Sequence, residues 1–265
     1  MYGIRARTLA RRGAPVARWR IAAFTGAVIL FAVALSPPLE DRAEELFAFH
    51  MVQHVLLGDL APLLFVLGLT GPLLRPLLAL RPVAALRPLA HPLVALPLWT
   101  LNLYLWHVPY LYESAVENDA VHALEHLSFF TAGALMWAAV VEVLPGPAWF
   151  GTAAKLGYVV AVRLLETVLA NVFLWAGTPL YDVYDDGSEL YGISPLRDQA
   201  LAGTVMMIEG SLVTIGAIAW LFLRWGAESE QRQQLIEQGV DAQTAGRAVR
   251  YGRGQELQGS SRNEA

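Results

Sequence analysis

The stretch LFAFHMVQHVLLGDLAPLLFVLGL, residues 46–69, places two histidines four residues apart in an otherwise mostly apolar run. About 20 apolar residues suffice to span the hydrocarbon core of a bilayer, so this run is long enough to cross a membrane. In a helix, His50 and His54 lie on the same face, one turn apart. An imidazole in apolar surroundings needs a hydrogen bond, a charge or a metal ion as its partner.

The composition is that of an integral membrane protein. Of the 265 residues, 55% are hydrophobic and only 16% are charged, whereas soluble domains carry about 25% charged residues. The sequence contains no cysteine, which excludes disulfide bonds and thiolate metal sites. A bound metal ion would therefore need histidine, methionine, carboxylate or backbone ligands.

Six apolar stretches are candidate transmembrane helices, since only helices and closed barrels satisfy every backbone group in lipid. We predict an all-α, polytopic transmembrane bundle of about six spans, at residues 18–36, 46–69, 91–111, 121–144, 153–176 and 200–223. The predicted organisation is a basic N-terminal segment at 1–17, the bundle at 18–225 and a polar tail at 226–265. Within the tail, SEQRQQLIEQ is expected to form a short helix. Residues 1–36 also resemble a signal peptide, whose cleavage would leave five spans.

The charges of the loops predict the orientation. Residues 1–20 contain six arginines and no acid, and the loop at 70–88 contains three arginines and no acid. The alternate loops are acidic, among them YESAVEND and YDVYDDGSELYGISPLRDQ. By the positive-inside rule we expect a multi-pass protein with both termini in the cytoplasm. The lipid bilayer is then its first partner, and we expect no nucleic-acid partner.

With this topology, five of the six histidines fall in the outer layer of three consecutive spans. They are His50, His54, His107, His122 and His126. Packing with satisfied hydrogen bonds is an alternative, but polar residues inside a membrane are costly and usually functional, so we favour a metal site. Imidazole suits copper, zinc, iron and nickel, and nearby methionine favours Cu(I). Copper therefore fits best, with zinc as the alternative.

The segment HALEH, residues 122–126, also matches H-x-x-E-H, the inverted zincin motif. In that interpretation His122 and His126 bind zinc and Glu125 activates water, as in an intramembrane hydrolase. The other three histidines of the layer would then have no role, so we expect a protein that is not an enzyme. A haem-binding electron carrier is a third hypothesis, because histidines of different spans at one depth could be axial ligands.

Four charged residues lie deeper in the predicted bundle: Asp59, Arg163, Glu166 and Glu209. Arg163 and Glu166 are three residues apart and can form an ion pair on one helix face. Charges inside a membrane usually face the bundle interior and pair with each other. A structural ion-pair network and a proton or ion path both remain open for this group.

Four stretches together resemble the CtaG family of cytochrome c oxidase assembly factors, the polytopic kind first associated with caa3-type oxidases. They contain HMVQH, WHVP, HALEH and DQALAG in this order, and with their spacing they cover most of residues 35–225. The resemblance implies a helical protein of the bacterial plasma membrane, often with seven spans, that is needed for active cytochrome c oxidase. Supply of copper to the oxidase is the role usually proposed for the family, with oxidase subunits as partners.

The five clustered histidines fall on the motif histidines of the family, and Asp198, Gln199 and Met206 fall on its last motif. We therefore predict copper bound by the two i,i+4 pairs, with His107 as a fifth ligand or a gate. Glu125 and Asp198 are predicted to accept hydrogen bonds from metal-binding imidazoles and thereby to fix the tautomer of each ring. Met206 is predicted to bind copper through its soft thioether sulfur as the ion enters or leaves the site.

Overall fold

The computed structural model describes residues 1–250, and within them the chain is helical with no strand, as predicted. The described residues form two compact units: residues 1–147 with 162–211, and residues 148–161 with 212–250. The end of the predicted polar tail, residues 251–265, lies outside the described residues. The predicted division of the chain at residues 17 and 225 stays a prediction.

The helices are numbered in chain order. They are α1 (Tyr2–Arg11), α2 (Arg18–Ala34), α3 (Pro37–Glu45), α4 (Phe47–Val55), α5 (Ala61–Gly68), α6 (Gly71–Leu78), α7 (Arg81–Ala85), α8 (Pro92–Trp106), α9 (Pro109–Glu117), α10 (Asp119–Val141), α11 (Thr152–Trp175), α12 (Asp185–Leu190), α13 (Pro195–Glu237) and α14 (Ala242–Arg250). A π-helical segment, Leu56–Leu60, joins α4 to α5. Short 3₁₀ turns, Arg87–Ala90 and Asp182–Tyr184, precede α8 and α12.

The protein is a helical membrane protein, but the predicted number of about six spans is slightly too high. Within residues 1–250, four helical segments are long and apolar enough to cross a membrane: Phe47–Gly68, Asp119–Val141, Thr152–Trp175 and Pro195–Glu237. A fifth span results if α2 and α3, which are bent by 51°, count as one.

The apolar stretch predicted at 91–111 forms a helix that is too short to count as a span by length. Helix α8 has 15 residues, which reach only about 22 Å, whereas the hydrocarbon core is about 30 Å thick. It ends at Trp106 because Pro109 forces the residue before it, Val108, into an extended conformation.

The last apolar helix is longer than predicted. Helix α13 has 43 residues and includes nearly all of SEQRQQLIEQ, so this segment continues the last span and is not a separate short helix. In the smaller unit, Leu235 of α13 packs against Ala245, Ala248 and Val249 of α14. The start of the polar tail is therefore held by a small apolar core.

Pro62 accounts for the π-helical segment between α4 and α5. Proline has no N–H group, and its ring clashes with the carbonyl of the residue four positions before it, here Gly58. The chain accommodates this with a π turn, in which the N–H of Ala61 donates to the carbonyl of Leu56. The Gly58 carbonyl oxygen lies against Gly133 of α10, where an added Cβ would collide with it. The two helices that carry histidine pairs therefore pack closely.

We expect Gly133→Ala to lower the free energy of unfolding by about 1–3 kcal/mol, because the new methyl group would collide with a backbone oxygen. The measurement is thermal unfolding in detergent, followed by circular dichroism. Gly157→Ala in α11 is the control, since nothing lies within 4 Å of a Cβ built there. That control should raise stability by about 0.5–1 kcal/mol. Equal effects of the two substitutions would contradict the close helix contact.

Candidate metal centre

The structure brings together all five histidines that the sequence predicts to form a cluster. His50 and His54 lie on α4, His122 and His126 lie on α10, and His107 follows the last residue of α8. Each is at most 8% exposed. The ring centroids of neighbouring imidazoles are 4.1 to 6.0 Å apart. Helical spacing alone places the two histidines of each pair on one face of their helix. The two pairs come together only because α10 packs against the π-helical segment.

Glu125 lies at the centre of the cluster and is 0% exposed. Its carboxylate oxygens are 3.7 Å from Nε2 of His50 and 3.5 Å from Nε2 of His54. These two nitrogens are 2.8 Å from each other. Glu125 belongs to two groups whose ligand atoms lie within 4.8 Å of one another, one with His50 and His122 and the other with His54 and His126. The sequence predicts Glu125 behind the ligands, but the structure places its oxygens among the ligand atoms.

Several buried polar atoms of the cluster have no hydrogen-bond partner in the described part of the chain. They are Nδ1 of His50 and His54, Nε2 of His107, His122 and His126, and both carboxylate oxygens of Glu125. Each buried polar atom left without a partner costs about 1–3 kcal/mol. Two ligands bound about 2.1 Å from one ion are at most about 4.2 Å apart, so small side-chain rotations suffice for coordination. The donor set fits a metal ion that accepts nitrogen and oxygen ligands.

His107 stands at the margin of the cluster. Its Nδ1 donates to the Leu103 carbonyl oxygen at 2.7 Å. A carbonyl oxygen can only accept a hydrogen bond, so this bond keeps the proton of the neutral ring on Nδ1. The lone pair of Nε2 is then available to bind a metal ion. The His107 ring centroid is 6.0 Å from that of His54, and His107 belongs to neither three-residue group. Its roles as fifth ligand or gate stay predictions.

Asp198 has different partners from the imidazoles that the sequence predicts. Its two oxygens accept from the backbone N–H groups of Phe47, at 2.7 Å, and Ala48, at 3.0 Å. Asp198 also lies in the first turn of α13. One buried carboxylate thus meets the positive ends of two helix dipoles, which is a favourable place for a negative charge. Asp198 acts on His50 and His54 by holding the start of their helix.

Gln199, the next residue, holds the segment between α11 and α13. Its Oε1 accepts from the N–H of Leu180 at 2.8 Å, and its Nε2 donates to the Thr178 carbonyl at 3.4 Å. The segment brings Tyr181 and Tyr184 to the cluster. Met206 is buried further along α13, 3% exposed, and its role in metal transfer stays a prediction.

Three buried tyrosines that no motif marks form an aromatic wall beside the cluster. The Tyr112 ring is 5.0 Å from the His50 ring and is stacked on Tyr181 at 4.1 Å. The Tyr112 hydroxyl forms a hydrogen bond with that of Tyr184 at 2.8 Å, and the Tyr181 hydroxyl donates to the His107 carbonyl. Burial raises the pKa of Tyr112 and of Tyr184 well above the ordinary value. Burial therefore favours the neutral form of these two phenols.

The predicted ion pair deeper in the larger unit forms. Arg163 NH1 lies 3.2 Å from the Glu166 carboxylate, and Arg163 NH2 donates to Ser211 Oγ at 2.9 Å. Gly210 packs directly against this pair, since an added Cβ would collide with both side chains. The pair therefore ties α11 to α13.

The other two deep acids lie nearby. Asp59 accepts a hydrogen bond from the indole N–H of Trp137. Both carboxylate oxygens of Glu209 are buried without a hydrogen-bond partner among the described residues, and Glu209 lies close enough to Asp59 for the two groups to influence each other. The proton or ion path through these acids stays a prediction.

The fold and the site define a helical membrane protein with a buried cluster of imidazoles around one carboxylate. A family model described as cytochrome c oxidase caa3 assembly factor (Caa3_CtaG) matches residues 1–228. The chain belongs to this family, which confirms the resemblance of its motifs. No curated protein and no solved structure matches the chain.

We expect Asp198→Ala to lower the free energy of unfolding by about 1–3 kcal/mol, because two buried N–H groups lose their acceptor. Asp198→Asn keeps one acceptor oxygen and should have a smaller effect. Thermal unfolding in detergent measures both. Asp186→Ala on the exposed face of α12 is the control and should change little. An Asp198→Ala variant as stable as this control would refute the capping role.

Proposed function

We propose that the protein is a membrane assembly factor that binds copper through its histidine cluster and aids delivery of copper to cytochrome c oxidase. One observation carries the proposal. The nitrogen and oxygen atoms of the two histidine pairs and of Glu125 are buried and lie close together. Many of these atoms form no hydrogen bond with another group of the described residues. An imidazole-rich site without cysteine suits copper or zinc, and membership in an oxidase assembly family favours copper.

The geometry allows one copper ion or two. Glu125 belongs to both three-residue groups, so its carboxylate could bridge two ions or move with one. Three protein ligands leave a coordination position open on each ion. An open position is what a delivery site requires, because a ligand of the acceptor can bind before the donor ligands leave. Copper is here the cargo of the protein.

The zinc hydrolase is less well supported. A hydrolase of that kind needs a glutamate that faces a water molecule and stays off the metal. The Glu125 oxygens instead lie 3.5–3.7 Å from the Nε2 atoms of His50 and His54, which the HALEH motif does not include. A haem-binding carrier is also less well supported, because rings with centroids 4.1 to 6.0 Å apart leave no room for a macrocycle between neighbours.

We place the cluster in the outer half of a bacterial plasma membrane, with residues 1–20 and 70–88 on the cytoplasmic side. The arginines of residues 1–20 and 70–88 support this orientation. Subunits of cytochrome c oxidase are the proposed partners, and we expect no catalytic turnover. The acidic loops would then face outward, on the side where the cluster lies.

The protein purified in detergent should bind Cu(I) in a competition titration against a chromophoric Cu(I) chelator, under anaerobic reducing conditions. We expect one or two ions per chain. A His50→Ala/His54→Ala variant should lose binding, because it removes one ligand from each three-residue group. His91→Asn is the matched control, since His91 lies outside the cluster and its side chain caps α8 through the N–H of Leu93. Asparagine preserves that cap.

A wild-type protein that takes up no copper would overturn the proposal. Zinc in the purified protein, with peptidase activity, would favour the hydrolase, and a Soret band would favour the haem carrier. Delivery is measured in a strain that lacks the protein, through the copper content and activity of its oxidase. The His50→Ala/His54→Ala variant should fail to restore both, and His91→Asn should restore both at equal membrane abundance.

The Glu125→Gln variant shows whether Glu125 is a metal ligand or a general base. We expect Cu(I) affinity to fall at least tenfold, because the amide retains the shape of the carboxylate but loses its charge and most of its affinity for metals. The same chelator competition measures the affinity. Glu125→Asp keeps the charge and should retain more affinity than Glu125→Gln. Unchanged affinity in Glu125→Gln would exclude Glu125 as a ligand and restore the general-base interpretation.

A further inference from the structure

A cavity of about 610 Å³ lies beside the cluster, lined by residues of α2, α3 and α10. His122 and His126 belong to its lining and are only 8% and 7% exposed. Their Nε2 atoms have no hydrogen-bond partner within the described residues. The cavity therefore reaches two imidazoles of the proposed metal centre, whose Nε2 atoms are not used by protein groups.

Three carboxylates line the same cavity: Glu40, Glu44 and Asp119. Glu44 and Asp119 are exposed and Glu40 is half-buried, so the acids mark the mouth and the histidines mark the inner end. The negative charges of Glu44 and Asp119, and that of Asp41 outside the lining, act on Glu40, so these acids form one electrostatic group. No lysine or arginine belongs to the lining.

Helix stability explains only part of this acidic group. Glu40 and Asp119 lie in the first turns of α3 and α10, where the helix dipole favours a negative charge. Glu44 lies in the last turn of α3, where the dipole disfavours a negative charge. Its position beside two other acids is costly for the fold, so a role for the charge itself is the better explanation.

The remaining walls of the cavity are apolar: Phe31, Leu35, Leu127 and Phe130. Low-dielectric walls focus the field of charges at a mouth and raise the local concentration of cations. A hard carboxylate that faces water holds Cu(I) weakly, unlike the buried Glu125 among its imidazoles, and imidazole itself binds Cu(I) well. The acids would therefore attract a copper ion without retaining it, and the inner histidines would take it over.

A second cavity has the opposite charge pattern. It has a volume of about 490 Å³ and is lined by Arg5, Arg12, Arg75 and Arg87 with apolar residues between them. Four guanidinium groups repel a cation. The lining of the first cavity therefore favours a cation, and that of the second does not.

We infer that the cavity lined by Glu40, Glu44, Asp119, His122 and His126 is the route by which copper reaches the histidine cluster. This inference rests on the proposed function. In this route the three acids increase the rate at which copper enters, and His122 and His126 are the first histidines to bind it. The equilibrium copper content belongs to the cluster as a whole and does not depend on the acids.

The test is the rate at which the full-length protein in detergent takes up Cu(I). Cu(I) is supplied with acetonitrile in stopped-flow mixing, and a chromophoric chelator reports the unbound ion. Removal of the three charges in Glu40→Gln/Glu44→Gln/Asp119→Asn should slow uptake at least tenfold at low salt. Copper content at equilibrium should be unchanged. The difference from wild type should shrink at high salt, where exposed charges are screened.

The matched control removes three exposed acids of α12 that do not line the cavity, in Asp185→Asn/Asp186→Asn/Glu189→Gln. It changes the net charge by the same amount and should keep the wild-type rate. A second pair of variants tests the cavity without changing charge. Ala123→Trp fills the cavity from an exposed position of its lining and should slow uptake, whereas Leu124→Trp on the neighbouring exposed position should not.

Wild-type uptake rates in both the acid variant and Ala123→Trp would overturn the route and leave the proposed function intact. Equal slowing by the α12 control would also overturn it, since any negative charge would then serve. If the acid variant fails to fold, the Ala123→Trp and Leu124→Trp pair decides alone. A wild-type protein that binds no Cu(I) would overturn the proposed function, and the route with it.

Discussion

The contact between the Gly58 carbonyl oxygen and the bare α-carbon of Gly133 sets how closely the two histidine-bearing helices approach. Gly58 lies four residues after His54, and Gly133 lies seven residues after His126, so the contact is about 6–11 Å along the helix axes from the cluster. Any side chain on Gly133 would push the helices apart at this point. Ligand atoms that now lie within 4.8 Å of one another would then separate.

The same bent helix is held at both ends by side chains of complementary charge. Asp198 accepts from the first N–H groups of α4, and Arg20 donates to the Leu67 and Leu69 carbonyls at the end of α5. Both positions match the sign of the helix dipole. The fold thus satisfies the terminal backbone groups of this helix while it leaves buried atoms of His50, His54 and Glu125 without hydrogen bonds. That contrast is the strongest structural argument for a ligand at the cluster.

Local spacing accounts for what could be predicted about the fold and the site. Apolar length predicts a helix in each of the six stretches, and the spacing of three or four residues predicts the two histidine pairs and the Arg163–Glu166 pair. The span count was too high because it depends on where Pro109 ends α8 and on the 51° bend after α2. Hydropathy averages over such breaks and does not register them.

The sequence by itself determined a helical membrane protein of the oxidase assembly family, with two histidine pairs each spaced for one helix face, because hydropathy, motif order and helical period are properties of neighbouring residues. Only the tertiary structure decided that the Glu125 oxygens lie beside the Nε2 atoms of His50 and His54, that Asp198 caps a helix and that three tyrosines wall the site. These contacts join residues 71 to 151 positions apart. They depend on how the helices pack, and no periodicity within one helix encodes which residues of another helix it will meet.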